Sequence, residues 1–176
     1  MARIAPVNPT TATGKLKEIF DGPLVGKHFN LFKSLAASPA ALQGYLGLAG
    51  ALGHGSLSAR EREAAQLAIA EANGCEYCQA AHTAIGKGAG LTEEQTQEAR
   101  RGAVKDAKIG ALVKFVLALH EKRGNASDAD VAAFREAGYG DGHIAEVVGG
   151  YALALYTNYF NILNQTPVDF PAVKAV

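Results

Sequence analysis

The chain has 176 residues, of which 48% are hydrophobic and 19% are charged, and its 17 Lys and Arg balance 17 Asp and Glu. This length fits one domain. The zero net charge argues against nucleic-acid binding, which usually needs a basic excess. No apolar run approaches the ~20 residues that span a bilayer, and the N-terminal segment lacks the pattern of a signal peptide. We therefore expect a cytoplasmic protein that binds neither nucleic acid nor a membrane.

Turn and capping residues divide the chain into short helical segments. Pro6 and Pro9 oppose helix formation, so residues 1–11 are predicted to form an extended arm. A second arm is predicted after the last helix, where two prolines occur. Between the arms, apolar spacing and turn residues predict helices over approximately these ranges: 13–21, 31–37, 39–52, 59–72, 75–85, 92–101, 105–122, 128–137 and 142–164.

Several of these helices have recognisable ends. Ser58 with Glu61, and Thr92 with Gln95, have the spacing of a capping box, in which each side chain bonds the other residue's backbone amide. Asn73-Gly74 suits a left-handed helix end. A helix should therefore stop there and the next one should begin at once.

No segment shows the alternation and hairpin turns of β-strands. The prediction is an all-α protein with a single compact domain of eight or nine helices over residues 1–176. Its core should cover about residues 12–165, with an arm at each end. The apolar final helix and the two arms also favour, weakly, a homo-oligomer.

Both cysteines of the chain lie in one short segment with a histidine. Cys75 and Cys78 are three residues apart, and His82 follows four residues later. On a helix these offsets place all three side chains on one face. Two Cα atoms one turn apart lie about 5 Å from each other, within disulfide range. The start of a helix also stabilises a thiolate. This pattern predicts a redox dithiol rather than an extracellular disulfide framework.

Glu63 is the fourth candidate in this region. It shares a helix face with Leu67 and Ala70, a stripe that is expected to face the core. A carboxylate in such a place needs a partner. Because the turn at residues 73–74 should fold the next helix back, His82 or a cysteine is the expected partner.

The spacing of Glu63, Cys75, Cys78 and His82 resembles the signature of AhpD-like alkylhydroperoxidases of the carboxymuconolactone decarboxylase superfamily. The motif spans 20 residues, and the all-helical layout is compatible with this family over most of the chain. The resemblance implies that Cys78 attacks the peroxide, Cys75 resolves the sulfenic acid to a disulfide, and Glu63 and His82 relay the proton. Some members have a histidine where this chain has Tyr77, which makes Tyr77 a candidate for an altered relay or a hydrogen bond.

The resemblance also implies partners. The activity would be thiol-dependent reduction of alkyl or organic hydroperoxides, with no cofactor and no metal. The disulfide would be reduced by an external dithiol, either a protein or a lipoyl-type group. Members of this family are homo-oligomers, commonly trimers or hexamers.

Other interpretations of the same residues stay open. The cysteines are small enough to be buried hydrophobic residues, and Glu63, Cys75, Cys78 and His82 supply enough donors for zinc. At the level of function, the alternatives are a carboxymuconolactone decarboxylase-like lyase and a non-catalytic, redox-responsive binding protein. Separately, two asparagines in the apolar final helix need partners if they are buried. They are Asn158 and Asn161, and capping, pocket-lining and interface roles are all open.

Overall fold

A computed structural model describes residues 2–176, and within this range the chain is helical without any strand, which confirms the predicted all-α class. The described residues form nine α-helices: α1 (Gly14–Asp21), α2 (Asn30–Leu35), α3 (Pro39–Gly53), α4 (Ala59–Ala72), α5 (Glu76–Gly88), α6 (Glu93–Arg100), α7 (Ala107–Glu121), α8 (Asp128–Glu136) and α9 (Asp141–Asn164). Over the same range, none of these helices is long and apolar enough to span a membrane.

The N-terminal arm differs in one detail from its prediction as an extended segment. Pro9–Thr11 form a short 3-10 helix. Its cause is local: the Asn8 side chain accepts a hydrogen bond from the Thr10 amide, and Pro9 occupies a first-turn position that needs no N–H.

The predicted capping boxes are both present. Ser58 and Glu61 start α4, and Thr92 and Gln95 start α6. In each pair, both side chains accept a hydrogen bond from the other residue's backbone amide. Gly74 ends the turn after α4 with φ +65°, a conformation that glycine adopts without strain. Cys75 is the N-cap of α5 rather than a residue inside its first turn.

Helix α4 lies at the centre of the fold, where it packs against α5, α6, α7 and α9. Its apolar side chains divide between two buried clusters. Leu67 and Ile69 belong to a cluster that α7, α8 and α9 complete, whereas Ala70 belongs to a second cluster built largely from α1, α2 and the start of α5. Both cysteines lie in this second cluster. The candidate site is therefore built into the protein core.

The contribution of the α4 capping box to the stability of the protein is expected to depend on pH. Burial raises the pKa of Glu61, but hydrogen bonds from Ser58 and Tyr139 and the nearby Lys108 ammonium outweigh it and lower the pKa from 4.5 to about 2. A carboxyl group whose pKa is lowered by folding stabilises the protein above its unfolded pKa. This stabilisation is lost as the pH falls from about 4.5 through about 2.

We expect Glu61→Gln to lower the melting temperature more at pH 6 than at pH 3, because the wild-type advantage of ionised Glu61 shrinks over that range. Thermal unfolding followed by circular dichroism at both pH values measures the effect. Glu136→Gln, the same change at an exposed carboxylate, serves as the control and should give no such difference. A gap between wild type and Glu61→Gln that is equal at both pH values would contradict the assignment.

Candidate active site

The two cysteines are joined by a disulfide at the start of α5, and their Cα atoms are 5.2 Å apart. Cys75, as N-cap, accepts a hydrogen bond from the Cys78 amide, with 3.2 Å between nitrogen and sulfur. Cys78 is the third residue of the helix, where the helix dipole favours a negative charge. The two cysteines are 1% and 2% exposed, respectively, so this disulfide is buried.

The next helical turn brings His82 against α4. Its Nδ1 lies 2.8 Å from Oε2 of Glu63, and the side chains of these residues are only 20% and 14% exposed. The helices approach closely at Gly86, where an added Cβ would lie 3.5 Å from Glu63 Cβ and 3.1 Å from Leu91 Cδ1. The contact predicted for Glu63 is therefore with the histidine, and it fixes the orientation of the imidazole.

Two cavities meet at His82. One, of about 420 Å³, is lined by Cys78 together with apolar and aromatic side chains. The other, of about 180 Å³, is lined by Glu63. His82 lines both cavities, whereas Cys78 lines only the first and Glu63 only the second. Cys75 is absent from the lining of either one. A ligand in the larger cavity would therefore meet Cys78 first.

Tyr45 lines both cavities as well, and no motif in the sequence marks it as a site residue. Burial and the charge of Glu63 raise the pKa of Tyr45 to about 12. Its hydroxyl is therefore protonated at neutral pH and available as a hydrogen-bond donor.

The hydroxyl of Tyr77 is held by groups outside the cysteine motif. It donates to Oδ1 of Asp169 at 2.8 Å and accepts from the Leu31 amide at 3.3 Å. Burial, with the carboxylate of Asp169, raises the pKa of Tyr77 above its ordinary value. Within the part of the chain that the structure describes, none of its hydrogen bonds reaches Glu63 or His82. Its relay role stays a prediction.

These contacts attach the C-terminal arm to the site. Oδ2 of Asp169 accepts a hydrogen bond from the Asn30 amide at 2.7 Å. Phe170 packs on Phe29 and Tyr77, with ring centroids 4.6 and 5.6 Å away, and it lines the Cys78 cavity. The arm therefore forms one wall of the cavity that leads to the buried disulfide.

We expect Asp169→Ala to accelerate reduction of the disulfide by dithiothreitol by about thirtyfold, because it removes two hydrogen bonds worth about 1 kcal/mol each from the arm. Release of free thiols measures the rate. Val168→Ala, a change at an exposed neighbour in the same arm, should leave the rate unchanged. Equal rates in the two variants would show that the arm does not limit access.

The structure also brings Asn161 of α9 to the cysteines. Its Nδ2 lies 3.5 Å from Cys78 Sγ, across 83 residues of sequence. Asn158, one turn earlier, accepts a hydrogen bond from Asn73 at 3.0 Å. In the sequence, the only indication of these contacts is the presence of two asparagines in an apolar helix. It indicates that both need hydrogen-bond partners but does not identify which residues those are.

The zinc interpretation needs a cluster of donor side chains. Residues 2–176 contain no group of three or more His, Cys, Asp or Glu side chains arranged to hold a metal ion. Both cysteine sulfurs are bonded to each other in this state.

Comparison with known proteins places this site in a family context. The model of the Carboxymuconolactone decarboxylase family matches residues 39–122, a region that contains Glu63, both cysteines and His82. No curated protein sequence matches the chain significantly.

Solved structures share the whole fold. A peroxidase-related protein from Ralstonia eutropha JMP134, described as an alkylhydroperoxidase AhpD core, is 22% identical with a TM-score of 0.85, over 96% of this chain and 92% of that one. A peroxidase-related protein from Silicibacter sp. TM1040 is 19% identical with a TM-score of 0.79, over 95% and 94%. A point variant of the debrominase Bmp8, in complex with 2,3,4-tribromopyrrole, is 15% identical with a TM-score of 0.78, over 96% and 92%.

The family match and the shared architecture agree with the motif of Glu63, Cys75, Cys78 and His82. Residues 39–122 are similar to the carboxymuconolactone decarboxylase family, and the chain as a whole has the fold of the alkylhydroperoxidase AhpD core protein.

Proposed function

We propose that the protein is a thiol-dependent peroxidase that reduces organic hydroperoxides with Cys78 and Cys75. The observation that carries this proposal is the Cys78 cavity, where a disulfide sulfur and a histidine bonded to a carboxylate line the same apolar space. Such a cavity suits a small organic molecule. A histidine near a thiol is the usual means of producing a thiolate nucleophile.

The reaction begins from the dithiol form. His82 takes the proton of the Cys78 thiol, and the thiolate attacks the terminal oxygen of R–O–OH. An S–O bond forms as the O–O bond breaks, so that sulfur is oxidised by two electrons to the sulfenic acid. The leaving alkoxide takes the proton from His82 and departs as the alcohol ROH.

Cys75 then resolves the intermediate. Its thiol attacks the sulfenic sulfur of Cys78, the S–O bond breaks, and water leaves as the disulfide forms. The disulfide pairing and the 5.2 Å Cα separation support this step without rearrangement of α5. An external dithiol, either a protein or a lipoyl-type group, would reduce the Cys75–Cys78 disulfide and be oxidised to a disulfide itself, which restores both thiols.

The fold alone does not select this reaction, since a protein of the same fold is named a debrominase. The support comes from the thiol pair. A decarboxylase-like lyase reaction uses no such pair, and a non-catalytic redox protein would form the disulfide without turning over.

The test is a turnover assay on the wild-type protein. Reduced protein mixed with an organic hydroperoxide, such as cumene hydroperoxide, should lose two thiols per chain, in line with its two cysteines, and release the matching alcohol. Addition of a dithiol should then sustain many turnovers. Disulfide formation without repeated alcohol release in the presence of several dithiols would reject the peroxidase and favour the redox-responsive binding protein.

Cytoplasmic location and homo-oligomerisation belong to the same proposal. A site that depends on a dithiol reductant suits a reducing compartment. Helix α9 exposes several large apolar side chains, a surface that supports self-association: Tyr156, Tyr159, Ile162 and Leu163.

A further inference from the structure

Asn161 of α9 forms a hydrogen bond with the candidate nucleophile. It is 3% exposed, and its Nδ2 lies 3.5 Å from Cys78 Sγ. A disulfide sulfur carries no proton, so the amide NH₂ is the donor in this contact. The other end of the amide, Oδ1, is buried and has no hydrogen-bond partner among the described residues.

A buried acceptor without a partner is costly and needs an explanation. Asn161 lines the Cys78 cavity, whose other walls are largely apolar and include Phe29, Phe32 and Phe170. An amide in such a wall is suited to a ligand that carries one hydrogen-bond donor on an apolar body.

We infer that Asn161 is a catalytic residue whose amide binds both reactants of the first step. Its Nδ2 stabilises the Cys78 thiolate, and its Oδ1 accepts the hydrogen bond from the terminal O–H of an apolar organic hydroperoxide. This inference rests on the proposed peroxidase function.

The chemistry of a hydroperoxide agrees with separate roles for Nδ2, which binds the thiolate, and Oδ1, which binds the substrate. The terminal O–H is the only hydrogen-bond donor that a simple hydroperoxide possesses, and its oxygen is the atom that sulfur attacks. Holding that proton at Oδ1 places the terminal oxygen beside Cys78 Sγ. The proton stays on this oxygen while the S–O bond forms and the O–O bond breaks, and the alkoxide takes its proton from His82.

The test uses Cys75→Ser as the parent, so that the only thiol is Cys78 and serine keeps the N-cap. In this parent, Asn161→Ala should raise the Cys78 thiol pKa by about one pH unit. A pH titration of the ultraviolet absorbance of the thiolate measures this pKa. At a pH where the thiolate is fully formed, its rate constant with cumene hydroperoxide should still fall by about tenfold. Loss of Nδ2 leaves a more basic and therefore more nucleophilic thiolate, so a fall in this rate constant reports the loss of Oδ1.

Asn158→Ala is the matched control, because Asn158 is buried on the same helix and also has one amide atom without a partner within residues 2–176, its Nδ2, but its Oδ1 bonds Asn73 and it does not line the Cys78 cavity. It should change neither quantity. Asn161→Asp keeps the side-chain volume if alanine prevents folding, and its carboxylate should raise the thiol pKa further. A thiol pKa or a thiolate rate constant in Asn161→Ala equal to that of Asn158→Ala overturns the inference. Failure of the Cys75→Ser parent to react with any hydroperoxide would instead reject the proposed function, and the thiol titration would still report on Nδ2.

Discussion

Cys78→Ser is expected to reduce hydroperoxide consumption to the rate of a protein-free control, whereas Cys75→Ser is expected to consume a single equivalent and then stop. Three features distinguish the sulfurs. Cys78 lines the large cavity, lies one helical turn from His82, and accepts a hydrogen bond from the amide of Asn161. Cys75 is the N-cap and lines neither cavity.

The measurement is a single turnover without added reductant. Reaction with dimedone, followed by mass spectrometry, should detect a sulfenic acid on Cys78 in the Cys75→Ser protein. The wild type should instead form the disulfide and escape dimedone. Each single variant serves as the other's control, since both remove one thiol from the same helix. The assignment is reversed if Cys78→Ser is the variant that reacts and forms the dimedone adduct.

Local sequence patterns were sufficient for much of this fold. A capping box depends on two residues three positions apart, so Ser58 with Glu61 and Thr92 with Gln95 are recognisable without tertiary information. The same holds for the Cys75–Cys78 pair, because helix geometry sets the 5.2 Å Cα separation. The Glu63 contact needed one further step, the reversal at Gly74, which a glycine after a helix also indicates.

The rest of the site depends on contacts between distant parts of the chain. Asn161 reaches Cys78 across 83 residues, and Asp169 reaches Tyr77 across 92. No local spacing encodes such pairs, since they follow from how α9 and the C-terminal arm pack against α5. The N-terminal 3-10 helix was not predicted for a different reason: it has only three residues, and Asn8 as N-cap with Pro9 in the first turn is enough to form it within an otherwise extended arm.

His82→Ala is expected to lower the rate of Cys78 oxidation at neutral pH by about a hundredfold, since general acid–base catalysis contributes factors of this order. Glu63→Gln should lower it by about tenfold, because the amide keeps the shape but loses the charge that orients and supports His82 across 2.8 Å. Stopped-flow measurement of sulfenic acid formation gives both rates. Glu146→Gln is the control: that carboxylate lines the smaller cavity but bonds the Ser56 and Leu57 amides, so the rate should stay at the wild-type level.

The double variant decides whether Glu63 acts through His82 or independently. If the carboxylate serves only to orient and charge the imidazole, Glu63→Gln should have no further effect in a His82→Ala background. Additive losses would mean that Glu63 acts on the sulfur or the substrate by a second route, through the smaller cavity that it lines. The hydrogen bond between Glu63 and His82 favours the first outcome, since Glu63 lines only the smaller cavity and Cys78 only the larger one. A non-additive cycle would therefore identify Glu63 and His82 as a single unit that accepts the thiol proton and returns it to the alkoxide.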